Sequence, residues 1–152
     1  MTLPGLQLVI NRSIQDANPL TRKLFADQPW DAKRVQAFVN DVGGITVATV
    51  STAGVPHAAV VVAGSSKGRI CFAVSPESVL LRNLTAGSAV AFTLVGDGHC
   101  IVGQGVATSR GETKDLSDLV AALGPQFRLG NLILDPWDGL IYEIKPSRLF
   151  AQ

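Results

Sequence analysis

The sequence predicts a mainly β domain with flanking helices (α+β), in which six antiparallel strands close into a small barrel. Three observations carry this reading. Short runs rich in Val, Ile and Thr follow one another along the chain, as strands on a pleated, half-buried surface do. The turn signals Ala53-Gly54, Ser65-Ser66-Lys67-Gly68 and Gly96-Asp97-Gly98 separate them, and tight turns join antiparallel neighbours. Parallel strands would need crossovers of roughly a dozen residues or more, so a parallel α/β sheet is disfavoured.

The elements follow in order. Residues 1–30 read as an irregular N-terminal arm punctuated by Pro4, Pro19 and Pro29. Within it Asn18-Pro19 signals a short helix over Leu20 to Ala26. The arm is expected to lie on the domain, residues 31–152, or on a partner. Asp31 then caps a helix. Val35, Phe38, Val39 and Val42 recur at i, i+3, i+4 and i+7 as one apolar stripe, and Gly43-Gly44 ends it. Strands are expected at Ile45 to Thr52, Pro56 to Ala63 and Arg69 to Val74. A helix over Pro76 to Ala86 comes next, with Ser75 as its N-cap and Leu80, Leu81 and Leu84 facing inward. Ala89 to Val95 and His99 to Ser109 form a second hairpin. Leu116, Leu119, Val120 and Leu123 make another helical stripe, closed by Gly124-Pro125. Leu140 to Ile144 supplies the last strand, with a further piece at Arg148 to Phe150 beyond Lys145-Pro146.

Composition narrows the class of function. The chain has 152 residues, 47% hydrophobic and 16% charged, which suits one domain with a sizeable core. So little charge also suggests apolar surface buried against a second chain. The net charge is +1 and the basic residues are scattered, so neither nucleic acid nor an anionic membrane is an expected partner. No stretch is long and apolar enough to span a bilayer, and no leader pattern opens the chain, so the expected location is cytoplasmic. Cys71 and Cys100 lack metal-ligand spacing and read as buried free thiols.

No self-contained catalytic motif is present. His57 and His99 have no metal-ligand spacing, so no metal site is expected, and His99 reads as exposed. Gly103-Gln104-Gly105 lies inside a strand without a following helix. It signals a bulge or a close backbone approach rather than a phosphate loop. Glu112 and Asp115 read as helix N-terminal charges, and Asp135 and Asp138 as turn formers. No catalytic residue is assigned.

An ordered constellation is more informative than any single motif. It runs through Ala48-Thr49-Val50, Gly54-Val55-Pro56-His57, Phe72-Ala73-Val74-Ser75-Pro76-Glu77-Ser78, Arg82-Asn83-Leu84 and Gly103-Gln104-Gly105-Val106-Ala107. This set resembles the pyridoxamine 5′-phosphate oxidase-like, FMN-binding split β-barrel superfamily over about Val35 to Phe150. The resemblance implies a homodimer that binds FMN at the subunit interface and works as a redox enzyme on a small molecule. The flavin phosphate would sit at the helix start near Ser75, Ser78 and Arg82, where free N–H groups and a positive dipole end meet an anion. The ring would lie along the second strand, near His57, Ala59, Val60 and Val61, with Val74 at the end of the third strand. Trp137 would cover the ring from the partner chain or pack at the dimer contact. The chain departs from the pattern at four positions. Leu80 replaces the usual lysine and Val74 a threonine, and Ala59 and Gly64 stand where basic residues are common. Leu80→Lys is therefore expected to restore phosphate affinity. The alternatives keep the fold: a deazaflavin or haem cofactor, or a non-enzymatic binding protein with a decayed flavin site.

Overall fold

The β-branched run that follows Gly43-Gly44 alternates strictly. Ile45, Val47 and Thr49 are buried, while Thr46, Ala48 and Val50 lie on the opposite face, as the two-residue period of a strand requires. The computed structural model describes residues 1–124 and 139–152. Its strands are β1 (Gly44–Val50), β2 (Pro56–Ser66), β3 (Arg69–Val74), β4 (Ala89–Gly96), β5 (His99–Glu112) and β6 (Leu140–Ala151). Its helices are α1 (Leu3–Gln15), α2 (Pro19–Phe25), α3 (Ala32–Val42), α4 (Val79–Ala86) and α5 (Ser117–Leu123). The six strands form the expected closed barrel in the order β1-β2-β3-β6-β5-β4, with every pairing antiparallel. Ile45, Val47, Phe72, Phe92, Ile101 and Ile144 fill it. Among the described residues, no helix is long and apolar enough to cross a membrane.

α3 follows its sequence signals closely. The Asp31 carboxylate accepts from the Arg34 N–H at 2.8 Å, and Gly43 closes the helix in the left-handed conformation. Residues 1–30 correct the reading as an irregular arm. α1 occupies Leu3–Gln15, Thr2 caps it, and Pro4 falls in the first turn, where a missing N–H costs nothing. Leu6 and Ile10 enter the barrel core from this helix. The Ser13 hydroxyl accepts from the Leu149 N–H at 2.9 Å and donates to the Val9 carbonyl at 2.7 Å, tying α1 to β6. α2 matches its expected helix within a residue or two, with the Asn18 side chain accepting from the Thr21 N–H.

Two further boundaries differ from expectation. α4 begins at Val79 and is capped by Ser78 rather than Ser75. Ser75 to Ser78 first makes a turn, with the Ser78 N–H donating to the Ser75 carbonyl at 3.2 Å. β6 runs through Lys145-Pro146 without ending. Pro146 sits opposite Gly105 where the β5–β6 register shifts between Gln104 and Gly105, a position that spares its missing N–H. A Cβ at Gly105 would overlap the Lys145 carbonyl, so the Gly-Gln-Gly stretch marks a close backbone approach. Gly105→Ala should therefore lower stability by roughly 1–3 kcal/mol, the cost of overpacking. A thermal melt that matches the parent's would contradict this packing.

Candidate functional site

Directly opposed residues of an antiparallel pair share a face. The registers therefore sort the barrel wall into an inner and an outer side. On β1 and β2 the pairs Ile45–Val61, Val47–Ala59 and Thr49–His57 belong to the inner side, and Thr46–Val60, Ala48–Ala58 and Val50–Pro56 to the outer. The outer side continues through Ala48–Ala91 and Thr46–Thr93 onto β4, then through Ala91–Gln104 and Thr93–Val102 onto β5. This outer face is largely apolar, with the exposed cations Lys145 and Arg148 of β6 opposite Val106 and Gln104 at its edge. Val60 is 78% exposed, Val50 58% and Val106 45%. Between the large residues lies a floor of small ones, Ala48, Ala58, Ala89 and Ala91. A cleft of about 480 Å³ opens on it, lined by Ala48, Val50, Pro56, Ala89, Ala91 and Gln104, among others. An exposed apolar sheet face of this kind marks a surface that another molecule covers.

The residues expected to hold a cofactor divide between the two sides. Val60 stands on the outer face. His57, Ala59 and Val61 are half-buried on the inner side of β2. Val74 is fully buried in the barrel core. Ser75 and Arg82 are exposed and Ser78 is half-buried. The Ser78 hydroxyl is committed to its helix: it accepts from the Leu81 N–H at 3.1 Å and donates to the Ser75 carbonyl at 2.9 Å. Leu80 is 1% exposed and packs in the core. Inside, the Asn83 amide donates to the Thr49 hydroxyl at 3.1 Å, which anchors α4 to β1. Trp137, Asp135 and Asp138 lie outside the described residues. Sequence reasoning missed Ala89 and Ala91 as lining residues. Their only signal is the run of small residues at alternate positions on β4.

Two other places are chemically distinct. A cleft of about 600 Å³ between α3 and the β4–β5 hairpin is lined by Trp30, Arg34, Phe38, Asp41 and His99, among others. His99, expected to be exposed, is half-buried with its ring 5.2 Å from Trp30. Trp30 also meets Phe38 edge-on at 5.2 Å, and the Arg34 guanidinium lies 4.2 Å over the indole. This cluster pins α3 to the hairpin, which accounts for its aromatic residues. On the far wall Glu143 is buried between the Met1 ammonium at 3.1 Å and Arg110 at 3.6 Å. Cys71 pairs with Glu143 across β3 and β6. Burial first, and then the Glu143 charge, pushes the Cys71 thiol up to about 12, so it is not a nucleophile at neutral pH. Cys100 is only half-buried, against the expectation for both thiols.

No family model and no curated protein matches the chain. Solved structures do. The haem storage protein HutZ from Vibrio cholerae superposes with a TM-score of 0.63 at 19% identity, over 78% of this chain and 92% of that one. An FAD-binding protein from Mycobacterium smegmatis gives 0.57 at 15% identity, over 81% and 96%. A protein provisionally named a pyridoxamine 5′-phosphate oxidase, from Listeria innocua, gives 0.59 at 12% identity, over 79% and 96%. The chain thus has the fold of the pyridoxamine 5′-phosphate oxidase-like split β-barrels, and its structural neighbours include flavin- and haem-binding proteins.

Proposed function

We propose that this split β-barrel chain is a homodimeric flavin-binding protein, with the flavin ring laid against the outer face of β2, β1, β4 and β5 and a second copy covering it. The observation that supports this most is the face itself: largely apolar, floored by alanines and exposed in the single chain. A planar ring needs such a floor, and obligate dimers bury such faces. FMN is the proposed cofactor and would supply redox chemistry toward a small molecule. Val60 would meet the ring or the second copy, and Trp137 is proposed to cover the ring. The proposed setting is cytoplasmic, where Cys71 stays reduced.

The two ends of the cofactor fit unequally. The ring end matches the alanine floor. The phosphate end does not match the residues around α4. Val74 and Leu80 belong to the core, and Ser78 already caps its own helix. Haem is the second reading. It is supported by the structural neighbours, which include haem-binding proteins.

An absorption spectrum of the purified protein, taken with its molar mass by light scattering, tests the proposal. The flavin bands and about twice the 16.0 kDa chain mass are expected. A Soret band would favour haem. A colourless monomer that takes up no added FMN would overturn the proposal.

A further inference from the structure

We infer that the 5′-phosphate of the flavin is held at the β5–β6 edge of the cleft, by Arg148 and Lys145, and not at the start of α4. This rests on the flavin reading above. Arg148 stands opposite Gln104 and Lys145 opposite Val106, so both continue the outer side from β5 onto β6. Both are exposed. Ser147, between them, lines the alanine-floored cleft together with Gln104. Gln104 also lines a second hollow of about 320 Å³, shared with Arg148, Phe150 and, at the start of α2, Asn18 and Thr21. The two hollows thus meet at Gln104. From β4 to β6 is two strand spacings, roughly 10 Å, a distance that the phosphorylated side chain of a flavin spans.

The charges on this side of the sheet favour an anion. Glu143 lies two residues before Lys145 on the same side of β6. It is buried and already held by the Met1 ammonium at 3.1 Å and by Arg110 at 3.6 Å. At the far end of β5 Glu112 pairs with Lys114. Neither pairing uses Lys145 or Arg148. α2 packs on the edge through Phe25, whose ring lies 5.2 Å from Phe150, and around that helix Arg22 and Lys23 offset Asp16 and Asp27. The edge therefore keeps the positive charge of Lys145 and Arg148. The Arg148 guanidinium lies 5.3 Å over the Phe150 ring. Such stacking uses the face of the guanidinium and leaves its in-plane N–H fork for the charge-assisted hydrogen bonds that make phosphate recognition strong. The start of α4 offers less. Ser78 Oγ is committed to Leu81 and Ser75, and Leu80 is buried, so Arg82 is the cation of that helix left to compete.

Titration of the ligand-free protein with FMN and with riboflavin, followed by flavin fluorescence, tests this. FMN is expected to bind about tenfold or more tighter than riboflavin, the range of one hydrogen bond to a charged group. Arg148→Ala should remove most of that preference by weakening FMN and not riboflavin, and adding Lys145→Ala should abolish it. Raised salt should shrink the preference of the parent, because exposed charges are screened. Both residues are exposed, so thermal melts of the variants should match the parent's. The inference is overturned, while the flavin reading stands, if the double variant keeps the preference, if it weakens riboflavin as much as FMN, or if Arg82→Ala removes the preference instead. Equal binding of the two flavins by the parent overturns it as well. If neither flavin binds, both fall.

Discussion

Val47→Asp should leave no folded protein under ordinary conditions, whereas Val60→Asp should leave the single barrel intact. Val47 is 0% exposed and faces Phe92 and Ala59 across its two neighbouring strands. A carboxylate there has no partner. Burying it costs several kcal/mol, comparable with the roughly 5–15 kcal/mol that holds a whole domain together. Val60 is opposed by Thr46 on the outer side, so an aspartate there meets water in the single chain. Circular dichroism and thermal melts of the two variants separate the faces. If Val47→Asp melts like the parent, the inner and outer sides of β1 have been exchanged.

Leu80→Lys should destabilise the protein by about 2–5 kcal/mol, the scale of losing a large core side chain, and should bring no gain in FMN affinity. From the sequence this change looks like restoration of a phosphate ligand. The structure assigns Leu80 to the core beside Leu84 and Val74. A lysine there must either bury its ammonium or pull α4 away from the barrel, which strains the Asn83–Thr49 hydrogen bond as well. Urea denaturation should show a lower midpoint at an unchanged slope. A variant as stable as the parent that binds FMN more tightly would show that α4 is seated differently.

Much of this architecture is legible in the sequence because local signals and tertiary demands agree. β3 is bounded by Gly68 and by Ser75-Pro76, and α3 by Asp31 and Gly43, so each ends where its punctuation says. α1 was hidden because its buried stripe is thin. Leu6, Ile10 and Ser13 are its buried residues, the exposed apolar Leu8 beside them blurs the face, and Pro4 looks like a breaker although it lies in the first turn. The position of Ser78 as cap was hidden by Ser75, an equally good cap residue whose following proline forms a turn instead. The choice of faces on β1 and β2 was not legible at all. Ala48, Val50 and Val60 on the outer side are as apolar as Ile45, Val47 and Val61 on the inner. That loss of contrast has a physical cause in this account, since a face destined for a ring and a second copy needs the same apolar residues as a core. For the same reason four of the expected contact residues on β2 and β3, namely His57, Ala59, Val61 and Val74, fall on the inner side or in the core.

If one outer face serves both dimerisation and flavin binding, Val60→Asp should remove both at once. Light scattering is run on the parent and on the variant while each is titrated with FMN. The parent is expected at about twice the 16.0 kDa chain mass and to quench flavin fluorescence, and Val60→Asp to be a folded monomer that does not. A Val60→Asp protein that remains dimeric and binds FMN as the parent does would place both functions elsewhere on the barrel and contradict the account.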